Sequence, residues 1–200
     1  DCAGFIVNRI LLPYMNEAAF ILEQGSKIEK IDNLIKDFGM PMGPFTLADT
    51  VGVDVGYKVA CILNEAYGNR MPIASIIEKM YDAKLFGAKT EAGFYEYAGR
   101  DIYPNAHVTP MLENNNKIIE DEEIVQRCIY IMINEASRCL EENIVTDASI
   151  IDFAMISGTG FPAYKGGLLN YANEIGLKNI LESLRKFEKE YGSRFTPSNL

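Results

Sequence analysis

The chain has 200 residues, 48% of them apolar and 24% charged, with 19 basic side chains against 28 acidic ones for a net charge of -9. This composition excludes a disordered, collagen-like or low-complexity protein and supports one large core or two smaller ones. It offers no basic block to follow a phosphate backbone, so nucleic acid is not an expected partner. A small anionic ligand stays compatible, because local amides and a few lysines outweigh net charge at a site.

The first residues, Asp1-Cys2-Ala3-Gly4-Phe5, carry no initiator Met, positive n-region or cleavage signal, and they read as a cut through a longer chain. Next comes the most apolar stretch, Phe5 to Leu22, where the three-four spacing of Ile10, Tyr14, Ala18, Ile21 and Leu22 predicts a helix. Asn8, Arg9, Pro13, Asn16 and Glu17 interrupt it, so no membrane span is expected. In a mostly buried helix such polar groups need partners. Arg9 is expected to bond to neighbouring helices, and the Asn8 carboxamide offers a donor and an acceptor to such a helix or to a ligand held by a preceding domain. Ser26 with Glu29 suits a capping box for a second helix, and a Gly-Pro-rich break follows at 39–44. Further on, Phe86-Gly87-Ala88-Lys89-Thr90 precedes Gly93-Phe94-Tyr95-Glu96-Tyr97, the one segment that reads as extended.

Gly99 to Glu120, with Pro104, Pro110 and the polar run Glu113-Asn114-Asn115-Asn116-Lys117, shows little periodicity and reads as a linker. The single histidine, His107, falls in it as a solvated side chain. Beyond it Ile129, Ile133, Ala136 and Leu140 predict a helix, and Asp147 is placed to cap the next one. Gly158-x-Gly160-x-x-Ala163 formally fits the dinucleotide fingerprint, but Pro162 and the helical segment before it make it an interhelix turn, so no nucleotide-binding unit is expected here. Glu17 and Glu135 have no histidine or second carboxylate at helical spacing and read as anchors between helices. Cys2, Cys61, Cys128 and Cys139 form no Cys-x-x-Cys pair, which fits free thiols in a reducing cytoplasm.

Comparison of the chain with itself reveals a duplication. Arg9 matches Arg127, Asn16-Glu17-Ala18 matches Asn134-Glu135-Ala136, and Leu22-Glu23 matches Leu140-Glu141, all at one offset. Ile31-Asp32 then pairs with Ile151-Asp152, Gly39 and Pro41 with Gly160 and Pro162, Gly43 with Gly166, Gly52 with Gly176, and Tyr67-Gly68-x-Arg70 with Tyr191-Gly192-x-Arg194. The expected fold is therefore all-α, with two tandem copies of one helical domain packed together by a pseudo-twofold relation. The expected boundaries are a first domain at 1–98, a linker at 99–120 and a second domain at 121–200 that lacks the counterpart of the terminal tail.

Four ordered motifs carry a family resemblance: Gly4-Phe5-Ile6-Val7-Asn8-Arg9, Gly39-Met40-Pro41-Met42-Gly43-Pro44, Asp49-x-x-Gly52-x-Asp54, and Phe86-Gly87-x-Lys89-Thr90-x-x-Gly93-Phe94-Tyr95. They resemble the C-terminal domain of 3-hydroxyacyl-CoA dehydrogenases. Asn134-Glu135-x-x-Arg138-Cys139-Leu140-Glu141-Glu142 and Gly160-Phe161-Pro162-x-x-x-Gly166-Gly167 resemble the second such domain in the α subunit of the fatty acid oxidation complex. The resemblance implies a parent enzyme that oxidises (S)-3-hydroxyacyl-CoA to 3-ketoacyl-CoA in β-oxidation. It places NAD and the catalytic His-Glu pair on an upstream Rossmann domain, so no catalytic or cofactor-binding residue is expected in this fragment, which should be inactive alone. An enoyl-CoA hydratase domain further upstream and a thiolase subunit are the other implied partners. Asn8 matches the family's substrate-contacting asparagine, and Ser157 stands where α subunits carry a tyrosine assigned to substrate. Glu91 and Ala92 depart from the usual Lys-Thr-Gly-x-Gly. The alternative is a self-standing acyl-CoA-binding or scaffolding module without catalysis.

Overall fold

The computed structural model describes residues 2–113, 115 and 117–199; Asp1, Leu200 and two asparagines of the polar run, Asn114 and Asn116, lie outside the described residues. Four helices form the body of the first half: α1 (Phe5–Glu23), α2 (Ile28–Phe38), α3 (Pro44–Val51) and α4 (Val53–Tyr67). A fifth, α5 (Ser75–Asp82), and an antiparallel hairpin of β1 (Tyr95–Ala98) and β2 (Asp101–Pro104) follow. The second half repeats the first four as α6 (Asp121–Glu141), α7 (Ala148–Thr159), α8 (Leu168–Ile175) and α9 (Leu177–Tyr191).

Equivalent side chains make equivalent bonds within each copy. Asp32 accepts the N–H groups of Phe45 and Thr46 at 2.9 and 3.0 Å, and Asp152 accepts those of Leu169 and Asn170 at 2.6 and 3.3 Å. Each carboxylate thereby satisfies the first free donors of a helix whose dipole favours negative charge there. Asn16 donates to the Pro72 carbonyl and accepts from the Ala74 N–H, at 2.5 and 2.8 Å. Asn134 repeats this with Thr196 and Ser198 at 2.9 and 2.8 Å.

Between the copies the bonds are exchanged. Arg9 on α1 donates to Glu135 and Glu142 of the second copy, both at 2.7 Å, while Arg127 on α6 donates to Glu17 and Gln24 of the first, both at 2.8 Å. Arg70 reaches Glu135 at 3.1 Å and Arg194 reaches Glu17 at 2.6 Å. A Cβ on Gly39 would meet Pro162 at 2.8 Å, and one on Gly160 would meet Pro41 at 2.7 Å. Reciprocity of this kind defines an isologous, pseudo-twofold interface inside one chain. Its centre is the α1–α6 contact, from which Ile10, Tyr14, Ala18, Cys128 and Met132 lead into one continuous core. Helix α1 is long and apolar enough to cross a membrane, with a mean hydropathy of 1.2, but half of it is buried in the protein. With Arg9 and Glu17 both fully buried in ion pairs, it is the central core helix.

Several local expectations change. Ser26 does not cap α2: the helix begins after Lys27, and the Ser26 N–H bonds back to the Ile21 carbonyl at 3.3 Å. Asp147 does cap α7, accepting from the Ser149 N–H at 2.8 Å. The glycine equivalent to Gly43 is Gly167, not Gly166, since Gly43 and Gly167 are the positions where any Cβ would strike the capping aspartate, Asp32 or Asp152. The segment after Gly99 contributes β2, and it buries Asn105, Val108 and Ile119 against the first copy and its neighbour. His107 in that segment is exposed.

Candidate functional site

Copy one holds an apolar groove of about 170 Å³ walled by α1, α3 and α4. Leu11 and Met15 form one side, Ala48 and Val51 the other, and Ile77 of α5 and Phe94 of the tail contribute from elements beyond the repeated four. The groove exists because α4 is small where it faces α1: Gly56 and Ala60 line it, and nothing lies within 4 Å of the place a Gly56 Cβ would take. At the equivalent positions of α9 stand Ile180 and Leu184, 3% and 4% exposed, filling the core of the second copy.

The tail that carries Phe94 is fixed by Asp49 on α3, whose carboxylate accepts the N–H groups of Phe94 and Tyr95 at 2.9 Å each and the Tyr97 hydroxyl at 3.1 Å. Glycine is required at position 93 because a Cβ there would enter the Asp49 carboxylate. Burial outweighs these hydrogen bonds and raises the Asp49 carboxyl from 3.8 to about 6. Just before the tail, Glu91 takes a left-handed conformation with φ 58° in place of the usual glycine, so the turn keeps its shape at a backbone cost.

Three polar side chains line the groove, and two are already engaged: Asn16 holds the 72–74 strap, and the Tyr57 hydroxyl donates to Glu78. The third is Asn8, which is exposed on the first turns of α1 and makes no hydrogen bond to the described residues. Contrary to the reading of a mostly buried helix, the start of α1 overhangs the core, so its amide is open. Asn8 also borders a second, shallower apolar depression formed by Phe5, Val7, Ile144 and Ala154, which brings the second copy to the same place. Ser157 is exposed on α7, next to Gly158, whose Cβ position lies 3.1 Å from Val7. It lines neither depression that Asn8 borders.

A model of the 3-hydroxyacyl-CoA dehydrogenase C-terminal domain matches residues 4–97 and 124–200. The chain belongs to this family. It is 42% identical over 98% of its length to the fatty acid oxidation complex subunit alpha of Vibrio cholerae serotype O1, and it spans 28% of the length of that relative. Among solved structures, the dehydrogenase part of multifunctional enzyme 1 from C. elegans is 27% identical, with a TM-score of 0.74 over all of this chain and 47% of that one. A 3-hydroxybutyryl-CoA dehydrogenase from Escherichia coli K12 shares the fold, with a TM-score of 0.80 at 22% identity over 98% of this chain and 58% of that one. The 3-hydroxyacyl-CoA dehydrogenase family generally uses NAD, and the one segment here that formally matches the dinucleotide fingerprint, Gly158 to Ala163, does not fit it. Gly158 lies inside α7 and Gly160 caps its C-terminus, where carbonyl groups would face a pyrophosphate that needs N–H donors.

Proposed function

We propose that this chain supplies the acyl side of the substrate cleft of an NAD-dependent (S)-3-hydroxyacyl-CoA dehydrogenase acting in fatty acid β-oxidation. In this reading a preceding Rossmann domain holds NAD and the catalytic pair, and the 3-hydroxyacyl-CoA is oxidised to the 3-ketoacyl-CoA against the face that carries Asn8. An enoyl-CoA hydratase domain of the same chain, a thiolase subunit and a cytoplasmic setting belong to the same proposal.

The observation that supports it is the pairing of an unengaged amide with an apolar groove. A 3-hydroxyacyl thioester has one oxygen to orient and a hydrocarbon chain to shelter, and Asn8 with the groove offers both kinds of contact. Asn8 is assigned to hydrogen-bond the 3-oxygen, which holds the reacting carbon in register. Ser157 is assigned a weaker substrate contact from the neighbouring rim. In the dehydrogenase that carries this chain, Asn8→Ala is expected to lower kcat/KM by about tenfold or more, the scale of one lost oriented hydrogen bond. The double substitution Gly56→Ile with Ala60→Leu, which copies the second half into the first, is expected to raise KM for medium-chain substrates and leave the fold intact. Unchanged kinetics in both variants would remove the groove and its amide from the site.

A further inference from the structure

The residue that follows Asn8 is held by the other copy. Arg9 is fully buried and bridges Glu135 and Glu142 at 2.7 Å each. Arg70 binds the same two carboxylates at 3.1 and 3.0 Å, and both guanidinium groups lie over the Tyr67 ring at 4.7 and 4.5 Å. Glu142 is partly solvated, and although burial opposes it, the hydrogen bonds from Arg9 and Arg70 hold its carboxyl below the ordinary value. The start of α1, which has a left-handed Gly4 in place of a side-chain cap, is therefore fixed by this clamp.

The pseudo-twofold relation supplies an internal control. At the equivalent place Arg127 is held by Glu17 and by Gln24, so an uncharged amide stands where the first clamp has the Glu142 carboxylate. The side chain before Arg127 is Gln126, and it is tied to Glu122 at 2.9 Å. Thus the clamp whose two carboxylates both come from the opposite copy occurs beside the unengaged amide; beside the engaged amide the opposite copy gives one carboxylate and one amide, and Glu123 of the same helix lies 3.9 Å from Arg127. The second clamp accommodates a neutral partner at that position, with Glu123 nearby as a further carboxylate.

We propose that Glu142, acting with Glu135 through Arg9, is a positioning residue for Asn8: the second copy sets the orientation of the amide that the first copy presents to the acyl-CoA. The inference rests on the proposed substrate role of Asn8. It gives the second copy a role beyond completing the core, as the part that makes the first turns of α1 rigid enough to hold a reacting group.

The test is a double-mutant cycle in the dehydrogenase that carries this chain, with Gln24→Glu as the mirror-image control. Glu142→Gln is expected to lower kcat about three- to tenfold, with KM for the acyl-CoA and the thermal midpoint unchanged. In the Asn8→Ala background the same substitution should have no further effect, and Gln24→Glu should leave kcat as it is. In the 200-residue chain the order parameter of the Asn8 side-chain amide, measured by 15N relaxation, should fall in Glu142→Gln and not in Gln24→Glu. An unchanged order parameter, an unchanged kcat, or an equal loss of kcat in the Asn8→Ala background would each overturn the positioning role. If Asn8→Ala itself leaves turnover unchanged, the substrate reading fails and the positioning role falls with it; an Asn8 effect without coupling removes the clamp alone.

Discussion

The two copies share their helices, their capping aspartates and their exchanged arginines, yet they differ where α4 and α9 face the helix before them. Gly56 and Ala60 leave a groove in the first copy, and Ile180 and Leu184 close the same space in the second. Two extra elements, α5 and the hairpin tail, add Ile77 and Phe94 to the open copy. The duplicated domain differs here in structure: one copy has a groove bordered by an unengaged amide, and the other packs the equivalent positions. Among the exchanged partners the arginines and the Glu17 and Glu135 carboxylates did not diverge, because each arginine depends on a carboxylate of the opposite copy, whereas Gln24 stands where the other clamp has Glu142.

That dependence predicts the largest effect. Glu17→Ala would leave Arg127 and Arg194 without their shared carboxylate in a fully buried site, and a loss of about 3–5 kcal/mol in urea unfolding is expected. Glu135→Ala should have a comparable effect through Arg9 and Arg70, which would confirm that the two clamps are equivalent in stability. A large effect at one and none at the other would break the symmetry argument.

The capping aspartates give a smaller and unequal pair. Asp32 is buried and also accepts the Thr46 and Tyr95 hydroxyls, whereas Asp152 is half-buried and accepts two N–H groups. Alanine should therefore lose about 2 kcal/mol at Asp32 and about 1 kcal/mol at Asp152.

Asp49 has no acidic counterpart, since Asn173 occupies the equivalent position, and it makes the first copy sensitive to pH. Its folded value of about 6 lies above the ordinary 3.8, so the folded state binds the proton more tightly. The stability it contributes is present below the ordinary value and is lost as pH rises through about 6. Unfolding measured from pH 4 to 7 should show this decline in the wild type, and Asp49→Asn should reduce it, since burial also raises the carboxyls of Glu135 and Asp152. The smallest effect expected is at Glu91, where Glu91→Gly should stabilise the tail by about 1 kcal/mol by relieving the left-handed conformation, as read from the thermal midpoint.

Much of this architecture is legible in the sequence. The matched Arg9 and Arg127, Asn16 and Asn134, and Glu17 and Glu135 give the duplication, and the apolar spacing gives α1 and α6. The exchange of partners is not legible, because an alignment of two copies shows which residues are equivalent and not which copy each side chain reaches. Strand β2 escapes notice because Asp101 to Pro104 is exposed along its whole length and has no buried face to impose alternation. Asn8 reads as part of a mostly buried helix because the stretch from Phe5 to Leu22 is apolar, and that composition does not register that the helix is exposed at Asn8. The groove did leave a signal, in Gly56 and Ala60 aligned with Ile180 and Leu184, but small residues in a helix acquire meaning only when the opposing helix is known.

The central claim is that one copy receives the acyl chain and the other does not. It is tested most directly by titrating the 200-residue chain with a medium-chain 3-hydroxyacyl-CoA and following side-chain methyl resonances. Shifts confined to Leu11, Leu12, Met15, Val51 and Val55, absent at Ile129, Ile133 and Ile175 and abolished by Gly56→Ile with Ala60→Leu, are the predicted result. Equal shifts in both copies, or shifts that survive filling the groove, would contradict it.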